Sequence, residues 1–469
     1  MDTDRTADVA SECMPPGQAT KPYRRGELDL IGAGAVLLLV FVHTASIFAG
    51  QQLVVNDTAS QSLWVTGLAS AILAFSTLWG MPLMTFMAGF TLRYSLSRRT
   101  LDEFVRDRIR RLLVPFVTGM LLVIPPMLYF WTRSRMPQCR ESFLRFYPRL
   151  WDVRFSLAAF PLFVEGAPQT LAPGAAPLQI LEISHLWFLL YLFAYSLLLL
   201  PLFAYLGGLE GLAHLGASSR PSASRPAPSQ PGPAGQRWVE RFAAVFSRAW
   251  SIWLLALPIA AIEGLLGTEP PSAWNRLVWP FFLLYGFLFC VDSRLEQALQ
   301  RERKRALALG GAGFLLYFGA MALLVQVVQL DSFQSRAALA VLARAIKGFA
   351  SWFWVVAIMG LATHWGRRAS ESHPDVVGGD QAVTESFRPA WPYRLVAYAK
   401  EAQVPAYVLH QLPVICIGYY VVQWHASAWV KFVVICLSSY LATFLLYEVG
   451  VRRSAVTRFL FGMKVRGRG

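Results

Sequence analysis

The chain has 469 residues, of which 55% are hydrophobic and only 15% are charged, and its mean hydropathy is +0.43. Soluble domains carry about a quarter charged residues, so this composition excludes an ordinary soluble fold and indicates a protein embedded in lipid. The 16 Trp and 16 Tyr residues agree with this conclusion, because amphipathic rings collect at the headgroup level of membranes.

The formal net charge of +15 does not indicate a nucleic-acid-binding protein. The basic residues sit in short clusters between apolar runs, and no motif that reads DNA or RNA accompanies them. The five cysteines are scattered without a CxxC pair, so the sequence predicts neither a structural disulfide nor a metal site.

Apolar segments long enough to cross a bilayer recur along the whole chain. A spanning helix needs about 20 apolar residues. Ten segments meet this requirement, at about 29–50, 66–94, 111–131, 182–206, 249–268, 276–293, 306–328, 338–365, 395–422 and 427–450. The first is long enough to span and follows a polar tail, so it is predicted to remain as an uncleaved anchor. The predicted fold class is an all-α polytopic membrane protein with about ten transmembrane helices.

The distribution of Arg and Lys predicts the orientation of these helices. Basic residues collect before the first segment, after the second, sixth and eighth, and after the tenth. With ten spans these places share one side of the membrane, which the positive-inside rule identifies as the cytoplasm. Both termini are therefore predicted to be cytoplasmic.

One loop departs from this rule. The loop at about 132–181, placed outside, carries Arg133, Arg135, Arg140, Arg145, Arg149 and Arg154. Long translocated loops follow the charge rule weakly. The arginines are either solvated surface charge, which we favour, or groups that face a polar substrate.

Two polar segments are predicted to be disordered cytoplasmic linkers, at about 215–236 and 368–390, because neither has the apolar residues to bury a core. They are insertions between helices and not domain boundaries. The predicted organisation is a cytoplasmic N-terminal tail at 1–27, a transmembrane domain at 28–452 and a basic cytoplasmic tail at 453–469.

Ionisable groups inside the predicted spans are candidates for function, because they are costly in lipid. The histidines of this kind are His43, His185 and His410, and the acidic residues are Asp29, Glu182, Glu263 and Glu448. His43 follows Asp29 by fourteen residues, a rise of about 21 Å, so it lies in the outer half of the membrane. A neutral imidazole there suits proton transfer from a hydroxyl, and the alternative is a core histidine bonded to its neighbours.

Two further patterns carry weaker signals. Glu182 and His185 are three residues apart, so a helix would place them on one face, either as a catalytic pair or as a structural one. The basic stretch 93–111 offers guanidinium groups that match phosphate oxygens, although ordinary positive-inside bias explains most of its charge.

Six motifs follow one another along the chain. They are LDLIGAGAVLLLVFVH (28–43), MPLMTFMAGFTLRYSLSRR (81–99), FVRDRIRRLLVPF (104–116), ISHLWFLLYLF (183–193), WPFFLLYGFLF (279–289) and AYVLHQLPVI (406–415). In this order they resemble the membrane-bound acyltransferase 3 family over nearly the whole chain. The HLWFL and YVLHQ segments most resemble the branch that modifies periplasmic glucans.

The resemblance implies a ten-helix integral O-acyltransferase of the bacterial cytoplasmic (inner) membrane. Such an enzyme moves an acyl group from a cytoplasmic donor to a hydroxyl of an extracytoplasmic glycan or glucan. The resemblance implies acyl-CoA as the co-substrate and no permanently bound cofactor. No serine nucleophile elbow, HExxH motif or P-loop suggests other chemistry.

The same resemblance assigns roles to individual residues. His43 matches the essential first-helix histidine of the family, and His185 and His410 match recurring histidines. The catalytic candidates are therefore His43, Glu182, His185 and His410. The donor-binding candidates are Arg93, Arg98 and Arg99, which fall in the region that the family associates with the donor.

One position departs from the family pattern. The family has an Arg eleven residues before the first-helix histidine, and here that position is Gly32. This difference favours the alternative of a non-catalytic transporter or flippase-like protein that keeps the fold, whereas His43 favours the enzyme.

Overall fold

The computed structural model describes residues 26–50, 55–57, 62–138, 141–170, 178–179, 181–207, 233–269, 274–324, 328, 335–372 and 390–464. The α-helices in these ranges are α1 (Gly26–Phe48), α2 (Leu63–Leu96), α3 (Leu101–Arg108), α4 (Val114–Leu122), α5 (Ile124–Arg135), α6 (Phe143–Arg149), α7 (Trp187–Leu198), α8 (Leu200–Gly207), α9 (Pro233–Phe246), α10 (Ala256–Leu266), α11 (Trp279–Phe289), α12 (Ser293–Ala322), α13 (Ala338–Ser372), α14 (Ala390–Leu409), α15 (Gln411–Val421), α16 (Ala428–Leu445) and α17 (Ala455–Leu460).

Short elements connect these helices. The 3₁₀ turns are Leu157–Ala159, Ser184–Leu186, Ser251–Leu255 and Arg276–Val278, and the π-helical turns are Ile109–Leu113 and Leu446–Val451. Four strands form two antiparallel pairs, β1 (Val153–Phe155) with β2 (Val164–Gly166) and β3 (Pro168–Gln169) with β4 (Leu178–Gln179).

The membrane-spanning elements agree with the predicted fold class. Among the described residues, five helices are long and apolar enough to cross a bilayer, namely α1, α2, α12, α13 and α16. Four bent pairs raise the number to nine when each pair counts as one span. The prediction of an all-α polytopic membrane protein is confirmed. The predicted span at 276–293 is a shorter apolar helix, Arg276–Phe289, and does not meet the length requirement by itself.

The boundaries differ from expectation at the two predicted linkers. Helix α9 begins at Pro233, within the first linker, and α13 continues to Ser372 within the second. The remaining linker residues, 215–232 and 373–389, lie outside the described residues.

Helix α9 is an element that the hydropathy pattern did not predict. It is bent by 115° from the Ser251–Leu266 arm that follows it. Arg237 and Arg241 are exposed on it, while Trp238 stacks on Phe242 with ring centroids 5.4 Å apart. Basic and aromatic side chains on one helix are typical of a helix at the membrane interface.

Proline explains three of the four bends. The pairs α4–α5, α7–α8 and α14–α15 are bent by 42°, 57° and 51°, respectively. Pro125, Pro201 and Pro413 follow these breaks, and each lacks the N–H that would bond the carbonyl four residues earlier. At the first break the freed carbonyl of Leu121 accepts a hydrogen bond of 3.2 Å from the Tyr147 hydroxyl. The polar backbone atom is thereby satisfied, as lipid requires.

The outer loop has its own ion pairs. Arg149 Nη1 lies 3.1 Å from Glu141 Oε2, and Arg154 Nη2 lies 2.8 Å from Glu165 Oε1. Arg133 donates a 2.9 Å hydrogen bond to the Tyr129 hydroxyl. These contacts favour a structural role over substrate binding for three of the six loop arginines.

Helices α2 and α11 cross at two glycines. A Cβ atom at Gly89 would lie 2.2 Å from the Leu283 carbonyl oxygen, and one at Gly286 would lie 1.8 Å from that of Phe86. Both contacts are with backbone, which cannot rotate away, so the crossing requires glycine at both positions.

We expect Gly286→Ala to lower the free energy of unfolding by about 1–3 kcal/mol, because the added methyl group forces the two backbones apart. Gly319→Ala in α12 is the matched control, since no atom of the described chain lies within 4 Å of its Cβ position. Thermal unfolding of the detergent-purified variants measures the difference. Equal midpoints for the two variants would contradict the close crossing.

Candidate active site

Three histidines from separate parts of the chain meet in the helix bundle. His43 lies on α1, His185 in the 3₁₀ turn Ser184–Leu186, and His410 at the break between α14 and α15. The ring centroid of His410 is 5.0 Å from that of His43 and 5.0 Å from that of His185. The three histidines predicted separately from the sequence therefore form one group, which we call the histidine cluster.

A backbone carbonyl fixes the protonation pattern of His185. Its Nε2 atom lies 2.9 Å from the carbonyl oxygen of Val408. A carbonyl only accepts hydrogen bonds, so Nε2 carries the hydrogen and Nδ1 carries the lone pair. That Nδ1 atom is buried, and the side chain of Gln411 lies beside the ring.

His410 has the opposite arrangement. Its Nδ1 atom lies 2.7 Å from the carbonyl oxygen of Tyr407, so Nδ1 carries the hydrogen and Nε2 the lone pair. Nε2 is buried, and no described residue donates a hydrogen bond to it. Two imidazoles of the cluster thus each keep a basic nitrogen that is available to a proton.

The break at His410 supplies the carbonyls that hold both rings. The last carbonyls of a helix have no intrahelical partner, and α14 ends at Leu409 because Pro413 cannot donate to the carbonyl of Leu409. The carbonyls of Tyr407 and Val408 lie in this last turn and accept from the two imidazoles. The last turn of α14 therefore orients both imidazoles.

Further contacts join the turn that carries His185 to the same break. The Tyr407 hydroxyl donates a hydrogen bond to the backbone carbonyl of His185, and its ring centroid lies 5.9 Å from the His185 ring. Ser184 Oγ lies 3.4 Å from Gln411 Oε1. The sequence-based interpretation did not single out Tyr407 or Gln411. Pro413, which follows the YVLHQ motif, predicts a break in the helix at this place.

Close helix packing supports this arrangement. A Cβ atom at Gly119 of α4 would lie 2.6 Å from Leu186 Cδ1 and 3.2 Å from Val408 Cγ1. Leu186 follows His185, and the Val408 carbonyl bonds its ring. The absence of a side chain at position 119 therefore lets α4 pack against the residues that hold His185.

The position of the missing family arginine lies on the same face of α1 as His43. Eleven residues make about three helical turns, so Gly32 is roughly 17 Å along the helix from His43. A Cβ atom at Gly32 would lie 2.7 Å from Nε2 of Gln403, on α14. The amide of Gln403 thus occupies the space next to position 32.

Glu182 does not share a helix with His185. The 3₁₀ turn begins at Ser184, whose φ of +43° turns the backbone away from helical geometry just after Glu182. The expectation that both residues share a helix face is therefore wrong. Glu182 lines a small cleft instead, together with Met127, Leu128, Trp131, Ser184 and Ile415. Burial raises the pKa of its carboxyl group above the ordinary value.

The predicted donor arginines lie in the last turn of α2, for Arg93, and just after it, for Arg98 and Arg99. The Arg98 guanidinium carbon is 4.1 Å from the Tyr94 ring centroid, and that of Arg93 is 5.8 Å from the Phe287 ring centroid. Arg99 Nη1 lies 2.7 Å from Ser95 Oγ and 2.8 Å from Asp107 Oδ2.

Asp107 gathers two more arginines around one carboxylate. Arg111 Nε lies 2.8 Å from its Oδ1 and Arg108 Nη2 lies 3.6 Å from its Oδ2. With Arg99, three positive charges face one negative charge, and the buried Nε of Arg108 has no partner among the described residues. We call Arg99, Arg108, Arg111 and Asp107 the basic cluster. Its surplus of positive charge suits an anionic group.

The other acidic candidates have cationic partners. Glu263 Oε2 lies 2.7 Å from Lys347 Nζ, and Glu263 Oε1 accepts a 2.6 Å hydrogen bond from the Asn275 amide. Glu448 Oε1 lies 2.8 Å from Arg452 Nη1. The first pair joins α10 to α13, the second lies within one helical turn, and together they account for both carboxylates without catalysis. The side chain of Asp29 lies outside the described residues.

Comparison with known proteins gives one match. A family model described as an acyltransferase domain, that of the acyltransferase 3 family, matches residues 25–448. No curated protein and no solved structure matches at a significant level.

We expect Pro413→Ala to reduce acyl transfer by about 100-fold, because an N–H at position 413 can bond the Leu409 carbonyl and straighten the helix, which misplaces His410. The stability of the protein should not fall, since alanine favours a helix more than proline does. Acyl transfer and thermal unfolding are measured on the same preparation.

Pro201→Ala is the matched control, because Pro201 follows a similar bend between α7 and α8. It should leave acyl transfer within a few-fold of the unsubstituted protein. Full activity of Pro413→Ala would show that the break does not position the histidine cluster.

Proposed function

The chain belongs to the acyltransferase 3 family, and from that premise we propose an O-acyltransferase that uses acyl-CoA on the cytoplasmic side and acylates a hydroxyl of an extracytoplasmic glycan or glucan. That it is a multi-pass membrane acyltransferase follows from the family and the apolar helices. We propose in addition that the donor is acyl-CoA, that the acceptor is a glycan or glucan, and that the protein lies in the bacterial cytoplasmic membrane. The observation that carries it is the convergence of His43, His185 and His410 with two open imidazole nitrogens.

The proposed chemistry is general base catalysis by the histidine cluster. His43 takes the proton of the acceptor hydroxyl, whose oxygen attacks the carbonyl carbon of the acyl thioester. The carbon–sulfur bond breaks, the ester forms, and the thiol of CoA leaves with a proton from the cluster. His43 is the only one of the three histidines that is not fully buried in the described structure, which suits the group that meets the acceptor.

The remaining two histidines support the base. His410 lies beside His43, and its lone pair on Nε2 offers a second place for the proton. His185 is held by the Val408 carbonyl, and its ring centroid lies 5.0 Å from that of His410. All three rings sit in a bundle where the dielectric constant is low, so their mutual interactions are strong.

The basic cluster is the proposed site for the phosphates of the donor. Guanidinium groups match phosphate oxygens in a planar fork, and here three of them share one carboxylate. Arg108 and Arg111 thus join Arg99 as donor-binding candidates, while Arg93 and Arg98 contact neighbouring aromatic rings. The Gln403 amide beside Gly32 supplies a neutral polar group where the family has an arginine.

A non-catalytic transporter that keeps the fold is the second candidate, and Gly32 is the observation that favours it. Transport does not require the carbonyl-fixed tautomers of His185 and His410 or their open nitrogens. Acyl transfer does use such groups, which supports the enzyme over the transporter.

We expect His43→Ala to lower acyl transfer from acyl-CoA to cell-envelope glycan by at least 100-fold, because the general base is lost. His425→Ala is the matched control, since His425 is exposed in the turn after α15. The measurement is the ester-linked acyl content of envelope glycans in cells with equal amounts of each variant. Persistent acylation with His43→Ala would exclude the proposed enzyme.

A further inference from the structure

The end of the chain packs against the helices of the bundle. Helix α17 (Ala455–Leu460) is followed by Phe461 and Met463, which are both buried. Arg458 is buried as well, with an exposed fraction of 5%. We call residues 455–464 the C-terminal segment. Because a solvated tail would leave these side chains in water, the segment is part of the folded structure.

Arg458 joins the C-terminal segment to α14. Its Nε and Nη2 atoms donate hydrogen bonds of 3.0 and 2.8 Å to the Lys464 carbonyl. Nη2 also lies 2.8 Å from Oε1 of Glu401, on α14. Hydrogen bonds between charged groups are among the strong ones, particularly where a side chain is shielded from water. The position of the segment relative to α14 is therefore fixed by a charged contact.

The C-terminal segment also contacts the π-helical turn Ile109–Leu113. Arg110 of this turn donates a 3.0 Å hydrogen bond from Nη2 to the Met463 carbonyl. The guanidinium carbon of Arg110 lies 5.8 Å from the Phe459 ring centroid. The next residue of the turn is Arg111, a member of the basic cluster. The segment and the basic cluster therefore meet on one short stretch of backbone.

Gly462 permits a close approach to the same turn. Pro115 has no N–H to donate to the Arg111 carbonyl, which would be its partner in a regular α-helix. A Cβ atom at position 462 would lie 2.7 Å from Pro115 Cγ and 3.2 Å from the Arg111 carbonyl oxygen. The φ of Gly462, +72°, also favours glycine. A side chain at this position would therefore push the segment away from Arg111.

The charges of the basic cluster create a need for such a contact. Three guanidinium groups surround the single carboxylate of Asp107, so the arginines repel one another when no anion is bound. A contact that holds the backbone of Arg111 opposes this repulsion. It also lowers the cost of ordering the arginines when an anion binds, which is the energetic benefit of preorganisation.

We propose that the C-terminal segment is a clamp that holds the turn Ile109–Leu113 against α14 and thereby positions Arg108 and Arg111 for the phosphates of the donor. Arg458 and Gly462 are positioning residues, because they act through other residues and not on the substrate. The clamp rests on the proposed function, which assigns the donor phosphates to the basic cluster.

The test measures CoA binding to the full-length protein in nanodiscs by calorimetry, which gives both the Kd and the number of binding sites. We expect Gly462→Ala to raise the Kd about tenfold, because the added methyl group separates the segment from Pro115. Gly450→Ala is the matched control, since no atom of the described chain lies within 4 Å of its Cβ position. It should bind CoA as the unsubstituted protein does.

Arg458→Gln tests the link to α14 and should also raise the Kd about tenfold, since the contact with Glu401 is lost. Arg453→Gln removes an exposed positive charge nearby and should leave the Kd within about twofold. Equal weakening in these two variants would show an effect of net charge and would contradict the clamp. Acyl-CoA turnover by Arg458→Gln should show a raised KM and an unchanged kcat, because the histidine cluster is intact.

Two further results would overturn the clamp. One is an unchanged Kd for CoA in both Gly462→Ala and Arg458→Gln. The other is a loss of binding sites at constant Kd, which would show that the substitutions only reduce the amount of folded protein. Absence of CoA binding by the unsubstituted protein would instead reject acyl-CoA as the donor, and the clamp with it. The failure of the clamp alone is therefore distinguishable from the failure of the proposed function.

Discussion

The break between α14 and α15 is the feature on which the site depends. Pro413 cannot donate to the Leu409 carbonyl, so α14 ends there, with the carbonyls of Tyr407 and Val408 in its last turn. In lipid these carbonyls need other donors. The imidazoles of His185 and His410 serve as donors to Val408 and Tyr407, and in doing so each ring keeps its lone pair on the other, buried nitrogen. A structural requirement of the membrane and a chemical requirement of proton transfer are met by the same hydrogen bonds.

The charges of the protein are distributed in agreement with this site. The buried pairs Glu263–Lys347 and Asp57–Lys431 join elements of the bundle, with Lys431 Nζ 3.2 Å from Asp57 Oδ1. Because the charges of each pair cancel locally, the pairs produce little net electrostatic field around them. The basic cluster, by contrast, has surplus positive charge, which suits an anionic group.

The spans were predictable because each one is a long apolar run, a property of local composition. Their bends were only partly predictable. Pro125, Pro201 and Pro413 are visible in the sequence, but the bend angles depend on what packs against each freed carbonyl. Helix α9 was missed because Arg237, Glu240 and Arg241 interrupt its apolar residues, so it forms no long apolar run.

The site residues were likewise only partly predictable from the sequence. His43, His185 and His410 were identified as costly polar groups in spans, yet nothing in one sequence places His410 between the other two. Glu182 was assigned to a helix face by its spacing from His185, and the positive φ of Ser184 makes that spacing irrelevant. Arg108 and Arg111 looked equivalent to their neighbours until the fold placed them around Asp107. Convergence in space is a tertiary property, and spacing along one chain does not encode it.

The backbone break fixes opposite tautomers in His185 and His410. Nitrogen NMR of histidine-labelled protein in nanodiscs at neutral pH measures it directly, with each signal assigned by substituting the corresponding histidine. We expect hydrogen on Nε2 of His185 and on Nδ1 of His410. The same tautomer in both rings, or a doubly protonated ring in either, would contradict it.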